Sequence, residues 1–344
     1  MKVVVDDKIP YIRAALDALA DEVVAKSGSD ICASDVRDAD VLIVRTRTRC
    51  DRSLLDGSQV QLVLTATIGF DHLDTIYLDA AGIEWHNCPG CNATSVAQYV
   101  RNSLLLLQEE RGIKLSDSVL GIVGVGYVGT AVLEATRGLV GRILLNDPPR
   151  DEAGDEAPTG LTWSDLNELQ RACDIICLHT PLVTDGPHPT MHLVDRAFLE
   201  RLERRPVLLN AGRGEVVDNW ALEEALDQGL VRDAVIDTWE NEPNISWPLL
   251  QKAFIGTPHI AGYSADGKAN ATRMVLTRLC AFLHRPMTFD IAPPPLATST
   301  DSTTGGLLHD LQLYNPKADS DRLKAHPELF EFLRGNYPLR RESA

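Results

Sequence analysis

A glycine-rich turn between an apolar strand and a helix constrains the fold of this chain more than any other feature. The turn reads Gly124-Val-Gly126-Tyr-Val-Gly129, follows the apolar run Val119–Val123 and opens a helical stretch at Val128. In such turns the first glycine permits the tight bend, the second lets the backbone approach a pyrophosphate, and the third allows close packing of helix on strand. The pattern therefore predicts a βαβ unit with an anion site at the helix N-terminus.

An acidic residue at the end of the next predicted strand specifies the ligand further. Asp147 follows the strand Arg142–Asn146, close to the interval of about 20 residues that dinucleotide-binding units show. A carboxylate at this point accepts hydrogen bonds from the adenosine ribose and repels a 2′-phosphate. The pattern predicts NAD rather than NADP, bound by Gly124, Gly126, Tyr127, Val128, Gly129 and Asp147. An ordinary βαβ turn that precedes a strand-end acid is the alternative.

Short apolar runs alternate with amphipathic stretches in two successive series, which is typical of parallel βα units. The predicted strands are Lys2–Val5, Val41–Arg45, Gln61–Thr67, Glu84–Cys88, Val119–Val123, Arg142–Asn146, Ile175–His179, Val207–Asn210 and Ala234–Asp237. The predicted helices are Tyr11–Ala20, His72–Ala81, Thr94–Arg111, Val128–Leu139, Ser164–Arg171, Asp195–Glu203, Asn219–Gln228 and Ala265–His284. We therefore predict an α/β protein of two domains. Residues 94–263 form a Rossmann-type, doubly wound domain for NAD, and residues 1–93 with 264–290 form a flavodoxin-like substrate domain.

The C-terminal part of the chain differs in composition. Ala292–Pro295 is predicted to be a stiff linker, and Thr298–Gly306, rich in Ser, Thr and Gly, is predicted to be mobile. One short helix is expected at His326–Tyr337, followed by the basic pair Arg340-Arg341. Residues 291–344 are therefore interpreted as a linker with a small C-terminal extension.

Charge and cysteine content restrict the partners of the chain. Lys and Arg total 33 against 49 for Asp and Glu, a net charge of −16, which argues against a nucleic-acid surface but not against a small anion bound by local arginines. We expect no membrane span, because no apolar run approaches about 18 residues, and the acidic N-terminus is unlike a signal peptide. The seven cysteines include one CxxC pair, Cys88 and Cys91. With no second pair for zinc, we expect no metal, free thiols and a cytoplasmic location.

Three polar side chains in the second domain follow apolar runs. Arg213 follows the strand Val207–Asn210, Glu242 follows Ala234–Asp237, and His259 lies in the stretch Thr257-Pro-His-Ile-Ala-Gly. In a doubly wound sheet the carboxyl ends of the strands face one crevice, where ligands bind. We therefore expect the three side chains to converge.

These three residue types suit the oxidation of a hydroxy acid by a nicotinamide. That reaction needs a base for the hydroxyl proton, and an imidazole titrates near neutral pH. Glu242 would orient His259 through its second ring nitrogen, and Arg213 offers a planar fork for a carboxylate. Taken singly, each has an ordinary alternative: a surface ion pair, a solvated loop acid or a turn residue.

The stretches around these residues are similar to those of the D-2-hydroxyacid dehydrogenase family, whose catalytic Arg, Glu and His occur in this order. The similarity covers roughly residues 1–290. Within the family, the chain resembles the branch that oxidises 4-phospho-D-erythronate in pyridoxal phosphate (vitamin B6) biosynthesis. The motifs that carry this resemblance include Val44-Arg-Thr-Arg47, Thr65-Ala-Thr-Ile-Gly-Phe-Asp71, Asn146-Asp-Pro-Pro149, Asp185-Gly-Pro187 and His259-Ile-Ala-Gly-Tyr263.

The resemblance implies NAD-dependent oxidation of that acid to 2-oxo-3-hydroxy-4-phosphobutanoate, with catalysis by Arg213, Glu242 and His259 in the cleft between the domains. It adds cofactor contacts at Thr180, Asp237 and Gly262, and substrate contacts at Thr46, Thr67 and Tyr263. It also implies a homodimer formed through the C-terminal stretch Phe332–Arg341.

A phosphorylated substrate requires cations of its own. Arg45, Arg47 and Arg49 alternate, so they would share one face if the strand continued to Thr46. We expect this triplet to contribute to phosphate binding, although charged residues on an edge strand also serve solubility. Arg340-Arg341 is a second candidate, acting from a partner subunit.

Two other functions remain open at this level. The chain could oxidise another D-2-hydroxy acid of the phosphoglycerate or glycerate type. It could also be a non-catalytic, NAD-sensing corepressor, although Arg213, Glu242 and His259 together with the acidic charge argue against this.

Overall fold

The computed structural model describes residues 1–295 and 307–342, which form two compact units. The first contains Met1–Asn92 and residues 264–295; the second contains Ala93–Tyr263 and residues 307–342, here called the C-terminal segment. No helix in the described part of the chain is long and apolar enough to cross a membrane. The predicted mobile stretch Thr298–Gly306 lies outside the described residues.

A parallel five-stranded sheet in the order β2-β1-β3-β4-β5 forms the centre of the first unit. Its strands are β1 Lys2–Asp6, β2 Glu22–Lys26, β3 Val41–Val44, β4 Leu62–Thr65 and β5 Glu84–His86. Its helices are α1 Arg13–Leu19, α2 Ala33–Val36, α3 Arg52–Leu55 and α4 Thr75–Ala81. The strand order is that of flavodoxin-like sheets, so this part of the prediction is confirmed.

A parallel six-stranded sheet in the order β11-β10-β9-β8-β6-β7 forms the centre of the second unit. Its strands are β6 Val119–Val123, β7 Arg142–Asn146, β8 Ile175–Leu178, β9 Val207–Asn210, β10 Asp233–Ile236 and β11 Ile255–Gly256. Its helices up to β11 are α5 Ala93–Arg111, α6 Tyr127–Thr136, α7 Pro148–Glu152, α8 Leu166–Ala172, α9 Arg196–Glu200, α10 Asn219–Gln228 and α11 Trp247–Lys252. Strands β7 and β8 flank β6 on opposite sides, so the strand order reverses there, as in a doubly wound Rossmann sheet.

The remaining helices complete the two units. Helix α12, Ala265–Phe282, packs apolar residues such as Val275 and Leu279 in the core of the first unit. The C-terminal segment contains α13 Leu307–Leu313, α14 Pro316–Ala325 and α15 Phe330–Gly335. The buried Leu323 and Phe330 join the core of the second unit.

Local capping explains where several helices begin. Asp74 accepts a hydrogen bond from the Tyr77 N–H at 3.0 Å, so α4 starts later than the predicted His72. Asp218 caps α10 through the Ala221 N–H at 2.9 Å. These side chains satisfy backbone donors that have no partner inside the helix.

Several elements differ from the prediction. Strand β2 was not predicted, because it is an edge strand with charged ends that buries little. Strand β3 ends at Val44, so Arg45 and Thr46 lie beyond it. The expected helix His326–Tyr337 begins with a 3-10 turn at Pro327–Leu329, and its α-helical part is only Phe330–Gly335. Pro327 has no N–H to continue the preceding helix, which ends at Ala325.

Candidate active site

The first and third glycines of the turn after β6 are required by the chain itself. Gly124 has a φ of 84°, and a Cβ there would lie 2.8 Å from the Thr180 nitrogen. A Cβ on Gly129 would lie 2.0 Å from the Gly124 carbonyl oxygen. A Cβ on Gly126, by contrast, would meet no heavy atom within 4 Å. Gly126 is also the N-cap of the ten-residue helix α6. Free N–H groups at this helix end favour an anion, and the space beside Gly126 is open to it.

Asp147 lies beside this turn. Its Oδ2 accepts a hydrogen bond from the Val125 N–H at 2.8 Å, and its other oxygen caps α7 through Arg150. The residue is half-buried, and each carboxylate oxygen can accept a further hydrogen bond. Arg150, which sequence reasoning missed, donates to the Val125 carbonyl at 2.8 Å and pairs with Asp155 at 2.9 Å. Contact of Asp147 with a ribose stays a prediction.

Polar atoms without hydrogen-bond partners mark the end of β8. Within the described residues, Thr180 Oγ1 and both ring nitrogens of His179 are buried and have no partner. Burial lowers the pKa of His179 to about 3. Buried polar groups normally find partners, so these atoms beside Gly124 suit contact with a ligand. The cofactor contact expected at Thr180 stays a prediction.

Asp237 anchors the loop that carries His259. The carboxylate is buried and accepts hydrogen bonds from the Thr257 hydroxyl at 2.6 Å, the Ile260 N–H at 2.8 Å and the Ala261 N–H at 3.0 Å. Burial raises the pKa of Asp237. His259 itself has a φ of 56°, an uncommon conformation for a side chain other than glycine. The loop must therefore be held from outside, which is a role of Asp237 that sequence reasoning missed.

Glu242 and His259 form a hydrogen-bonded pair. His259 Nδ1 lies 2.9 Å from Glu242 Oε2 and 3.2 Å from Oε1. Glu242 also accepts from the Trp239 N–H at 3.0 Å and from Arg334 at 3.3 Å. Burial raises the pKa of Glu242, but the charge and hydrogen bond of His259, the Trp239 N–H and the Arg334 charge outweigh it, so this pKa lies below its ordinary value. An ionised Glu242 accepts the Nδ1 hydrogen and leaves Nε2 as the basic atom.

Arg213 lies in the loop after β9, next to the strand that precedes Glu242. Its guanidinium is half-buried and donates to the Gly212 carbonyl at 3.0 Å. The adjoining Gly214 lies so close to the next loop that a Cβ would be 1.9 Å from the Trp239 carbonyl oxygen. The structure thus brings Glu242 and His259 into contact and places Arg213 in the neighbouring loop, at the carboxyl edge of adjacent strands β9, β10 and β11.

The arginines proposed for phosphate binding are arranged differently from the expectation. Because β3 ends at Val44, they do not share one strand face, and that premise was wrong. Arg45 pairs with the fully buried Asp6 at 3.0 Å. Arg49 pairs with Asp51 at 2.9 Å. Phosphate binding by Arg45 or Arg47 stays a prediction.

The predicted substrate contacts Thr46, Thr67 and Tyr263 occupy different surroundings. Thr46 is exposed after β3. The Thr67 hydroxyl lies 2.7 Å from that of Thr65 and donates to the Gly69 carbonyl at 2.8 Å. Tyr263, which follows the predicted cofactor contact Gly262, packs edge-on against Tyr337 with ring centres 6.2 Å apart.

Arg340 cannot serve as the surface phosphate ligand that we expected. It is only 8% exposed, and its guanidinium donates to the backbone carbonyls of Ser95, Ile260 and Tyr263. It also lies over the Tyr314 ring at 3.9 Å. The donors of Arg340 are thus used within the chain, on the loop that follows His259.

Neither the cysteines nor any other cluster suggests a metal centre in the described part of the chain. All seven cysteines are free thiols, and six of them are buried. In residues 1–295 and 307–342, no group of three or more His, Cys, Asp or Glu side chains could hold a metal ion.

Comparison with known proteins assigns the family. Residues 92–261 match the sequence model of the D-isomer specific 2-hydroxyacid dehydrogenase NAD binding domain. The chain is 52% identical over 342 residues to erythronate-4-phosphate dehydrogenase of Bacteroides fragilis, covering 99% of this chain and 97% of that protein. The enzyme of the same name from Porphyromonas gingivalis is 42% identical over 353 residues, with 99% and 94% covered.

Solved structures agree on the fold. D-lactate dehydrogenase of Aquifex aeolicus, solved with NAD and lactic acid, superimposes with a TM-score of 0.68 at 21% identity, covering 83% of this chain and 96% of that one. The TT0316 protein of Thermus thermophilus gives 0.69 at 26% identity, with 85% and 100% covered. From its NAD-binding domain and its full-length relatives, this chain belongs to the D-isomer specific 2-hydroxyacid dehydrogenase family.

Proposed function

We propose that this protein oxidises 4-phospho-D-erythronate at C2 to 2-oxo-3-hydroxy-4-phosphobutanoate with NAD, a reaction of pyridoxal phosphate biosynthesis. Two relatives named erythronate-4-phosphate dehydrogenase are 52% and 42% identical to this chain over nearly its whole length. The observation that carries the proposal in this structure is the contact of His259 Nδ1 with Glu242 at 2.9 Å, at the carboxyl edge of the Rossmann sheet.

The residues of the second unit fit the cofactor. The open face of Gly126, the N-terminus of α6 and the partnerless Thr180 Oγ1 are suited to a pyrophosphate and its neighbouring groups. Asp147 supplies the acceptor for ribose hydroxyls and the charge that disfavours a 2′-phosphate. NAD, when bound, supplies the acceptor for the hydride that leaves C2.

His259 acts as the general base in this proposal. Its Nε2 takes the proton of the C2 hydroxyl while the hydride leaves the same carbon, so that alcohol becomes ketone. Glu242 holds Nδ1, fixes the tautomer and stabilises the imidazolium that forms. Arg213 binds the substrate carboxylate and polarises the C2 oxygen through its planar guanidinium.

Steady-state rates of NADH formation across a substrate panel test the proposal. The panel contains 4-phospho-D-erythronate, D-erythronate, 3-phospho-D-glycerate, D-glycerate and D-lactate, each run with and without an added 2-oxo acid. We expect the highest kcat/KM for 4-phospho-D-erythronate, by at least about 10²-fold over the unphosphorylated acid, because the site would hold a dianion. The added 2-oxo acid reveals whether NADH leaves the enzyme or is re-oxidised in place.

The same panel separates the two alternatives. Preference for 3-phospho-D-glycerate or D-glycerate would assign the chain to another branch of the family. A preparation that binds NAD but forms NADH with none of these acids would support a non-catalytic NAD sensor instead.

The phosphate ligand is tested separately. We propose that Arg47, with Thr46, binds the substrate phosphate, because both are exposed at the end of β3. Arg47→Gln is expected to raise KM for the phosphorylated acid by about tenfold and to leave KM for D-erythronate unchanged. Arg13→Gln, at an exposed arginine of α1, is the matched control. Equal effects on both substrates would contradict this role.

We further propose that the protein is a homodimer that uses the C-terminal segment. The exposed Phe332 and Leu339 in that segment offer apolar surface for such a contact. Sedimentation equilibrium of the full chain and of Phe332→Ser tests this, and a monomer at micromolar concentration would oppose it. The expected cytoplasmic location stays a prediction.

A further inference from the structure

An arginine of the C-terminal segment contacts the carboxylate that holds His259. Arg334, on α15, places its Nη1 atom 3.3 Å from Glu242 Oε2. The side chains of Arg334 and Glu242 are 18% and 17% exposed, so water screens this pair less than a surface pair. The same Glu242 oxygen, Oε2, therefore contacts both His259, at 2.9 Å, and Arg334.

The segment that carries Arg334 is fixed against the second unit on both sides of this contact. Phe330 is buried in the core of that unit. Arg340, five residues beyond the end of α15, is buried and donates to the Ile260 and Tyr263 carbonyls. Because both flanks are anchored, the backbone that carries Arg334 is already ordered, so its contact with Glu242 costs little further backbone entropy.

We propose that Arg334 is a positioning residue for the catalytic pair. In this proposal, which rests on the proposed function of His259 as base, Arg334 fixes the Glu242 carboxylate on His259. It also neutralises part of the negative charge that His259 faces. An unshielded carboxylate would stabilise the imidazolium more strongly, so Arg334 keeps the imidazole unprotonated, and active as a base, to lower pH.

The other charged groups around the pair do not replace this effect. Glu331 lies one helical turn before Arg334, and its Oε1 forms a second ion pair with Arg334 Nη1 at 3.7 Å. Asp237 interacts electrostatically with His259 from the loop after β10. Tyr263 shares a hydrogen bond with Arg334. Arg334 is the cation that the structure places on Glu242 itself, and it lies nearer to Glu242 than to Glu331.

The pH dependence of kcat/KM for the hydroxy acid tests the proposal. In Arg334→Gln, the acidic limb is expected to move to higher pH by about 0.5 to 1 unit, with kcat at its optimum reduced by about tenfold. A shift of the acidic limb reports the lost charge at Glu242. A general loosening of the fold would lower kcat without moving the limb. Arg334→Lys keeps a charge without the planar fork, so it should restore most of the limb position and less of kcat.

A double-mutant cycle shows whether Arg334 acts through Glu242. Arg334→Gln added to Glu242→Gln is expected to change kcat/KM by less than about twofold, against tenfold or more in the native background, because the shared partner is already gone. Additive effects in the two backgrounds would overturn the proposal, and so would an acidic limb that does not move in Arg334→Gln.

Two measurements keep the result independent of folding and of the substrate assignment. Thermal unfolding and NAD affinity are recorded for each variant, and Arg322→Gln, at an exposed arginine of α14, is the matched control expected to change neither limb nor kcat. If Arg334→Gln does not fold, Arg334→Met, which also removes the charge, takes its place in the pH profile and in the cycle with Glu242→Gln. Absence of turnover with every acid in the native enzyme rejects the proposed function, whereas turnover with an unmoved limb rejects the role of Arg334 alone.

Discussion

The Nδ1 atom of His259 lies 2.9 Å from Oε2 of Glu242, and this contact decides which ring nitrogen can act on a substrate. The carboxylate accepts the Nδ1 hydrogen, so Nε2 carries the lone pair. The pair is assembled from loops after β10 and β11, which are adjacent strands. Its geometry therefore depends on the buried anchors around it as much as on the two residues themselves.

Replacement of His259 is expected to separate catalysis from cofactor binding. His259→Ala should reduce kcat by about 10² or more, because the hydroxyl proton loses its acceptor. NAD affinity, measured by fluorescence titration, should change by less than about threefold, since the glycine turn and Asp147 lie after other strands. Weakened NAD binding with unchanged kcat would contradict the assigned role.

Asp147 is expected to determine the choice between NAD and NADP. Asp147→Asn removes the charge and keeps one acceptor oxygen, which can serve either the Val125 N–H or the α7 cap but not both. The ratio of kcat/KM for NAD to that for NADP should fall by about tenfold or more, because the repulsion of a 2′-phosphate is lost. Thermal unfolding is recorded beside it, and a modest loss of stability is expected because one of the two backbone N–H groups loses its acceptor. A ratio that stays as in the native enzyme would exclude charge as the basis of selectivity.

The buried His179 predicts a pH dependence of stability. Burial lowers its pKa to about 3, below the ordinary value of 6.5, so the unfolded chain binds one proton more than the folded chain between these two values. Stability should therefore fall as pH drops from 6.5 towards 3, by at most about 1.4 kcal/mol per pH unit from this residue. In urea unfolding over that range, the native protein should lose stability relative to His179→Gln as pH falls, and the difference between the two should become constant above about pH 6.5. Parallel curves would show that His179 does not titrate with unfolding.

Gly214 is expected to tolerate no larger side chain. A Cβ would lie 1.9 Å from the Trp239 carbonyl oxygen, so Gly214→Ala must displace the loop before Glu242. We expect a loss of at least about 2 kcal/mol in the free energy of unfolding, together with reduced kcat. Gly335→Ala is the control, because a Cβ there meets no heavy atom within 4 Å. Equal stability of both variants would show that the two loops are not packed as described.

Sequence patterns predicted most of the fold because its signals are local. Apolar runs predicted five of the six strands of the second sheet to within about one residue, whereas the two-residue strand β11 was not predicted. Strand β2 was missed, since an edge strand with charged ends carries a weak apolar signal. The C-terminal helices were missed or misplaced, because polar helices such as α14 depend on contacts with the rest of the unit.

The candidate site was predictable only in part. The glycine turn, Asp147 and the trio Arg213, Glu242 and His259 follow from motif and strand order. The phosphate argument failed at its premise, because β3 ends before Arg45 and that arginine pairs with Asp6. Nothing in the sequence near Arg334 or Arg340 pointed to the catalytic loops, since both act over long separations in the chain.

By itself, the sequence determined the α/β class, the glycine turn that suits NAD and the choice of candidate catalytic side chains, since backbone freedom, strand patterning and side-chain chemistry are properties of the residues themselves. The tertiary structure alone decided that Asp237 holds the His259 loop, that Arg340 is a buried anchor, and that Arg334 reaches Glu242. The reason is physical: a hydrogen bond or ion pair between distant residues depends on the packing of whole elements, which no local pattern encodes.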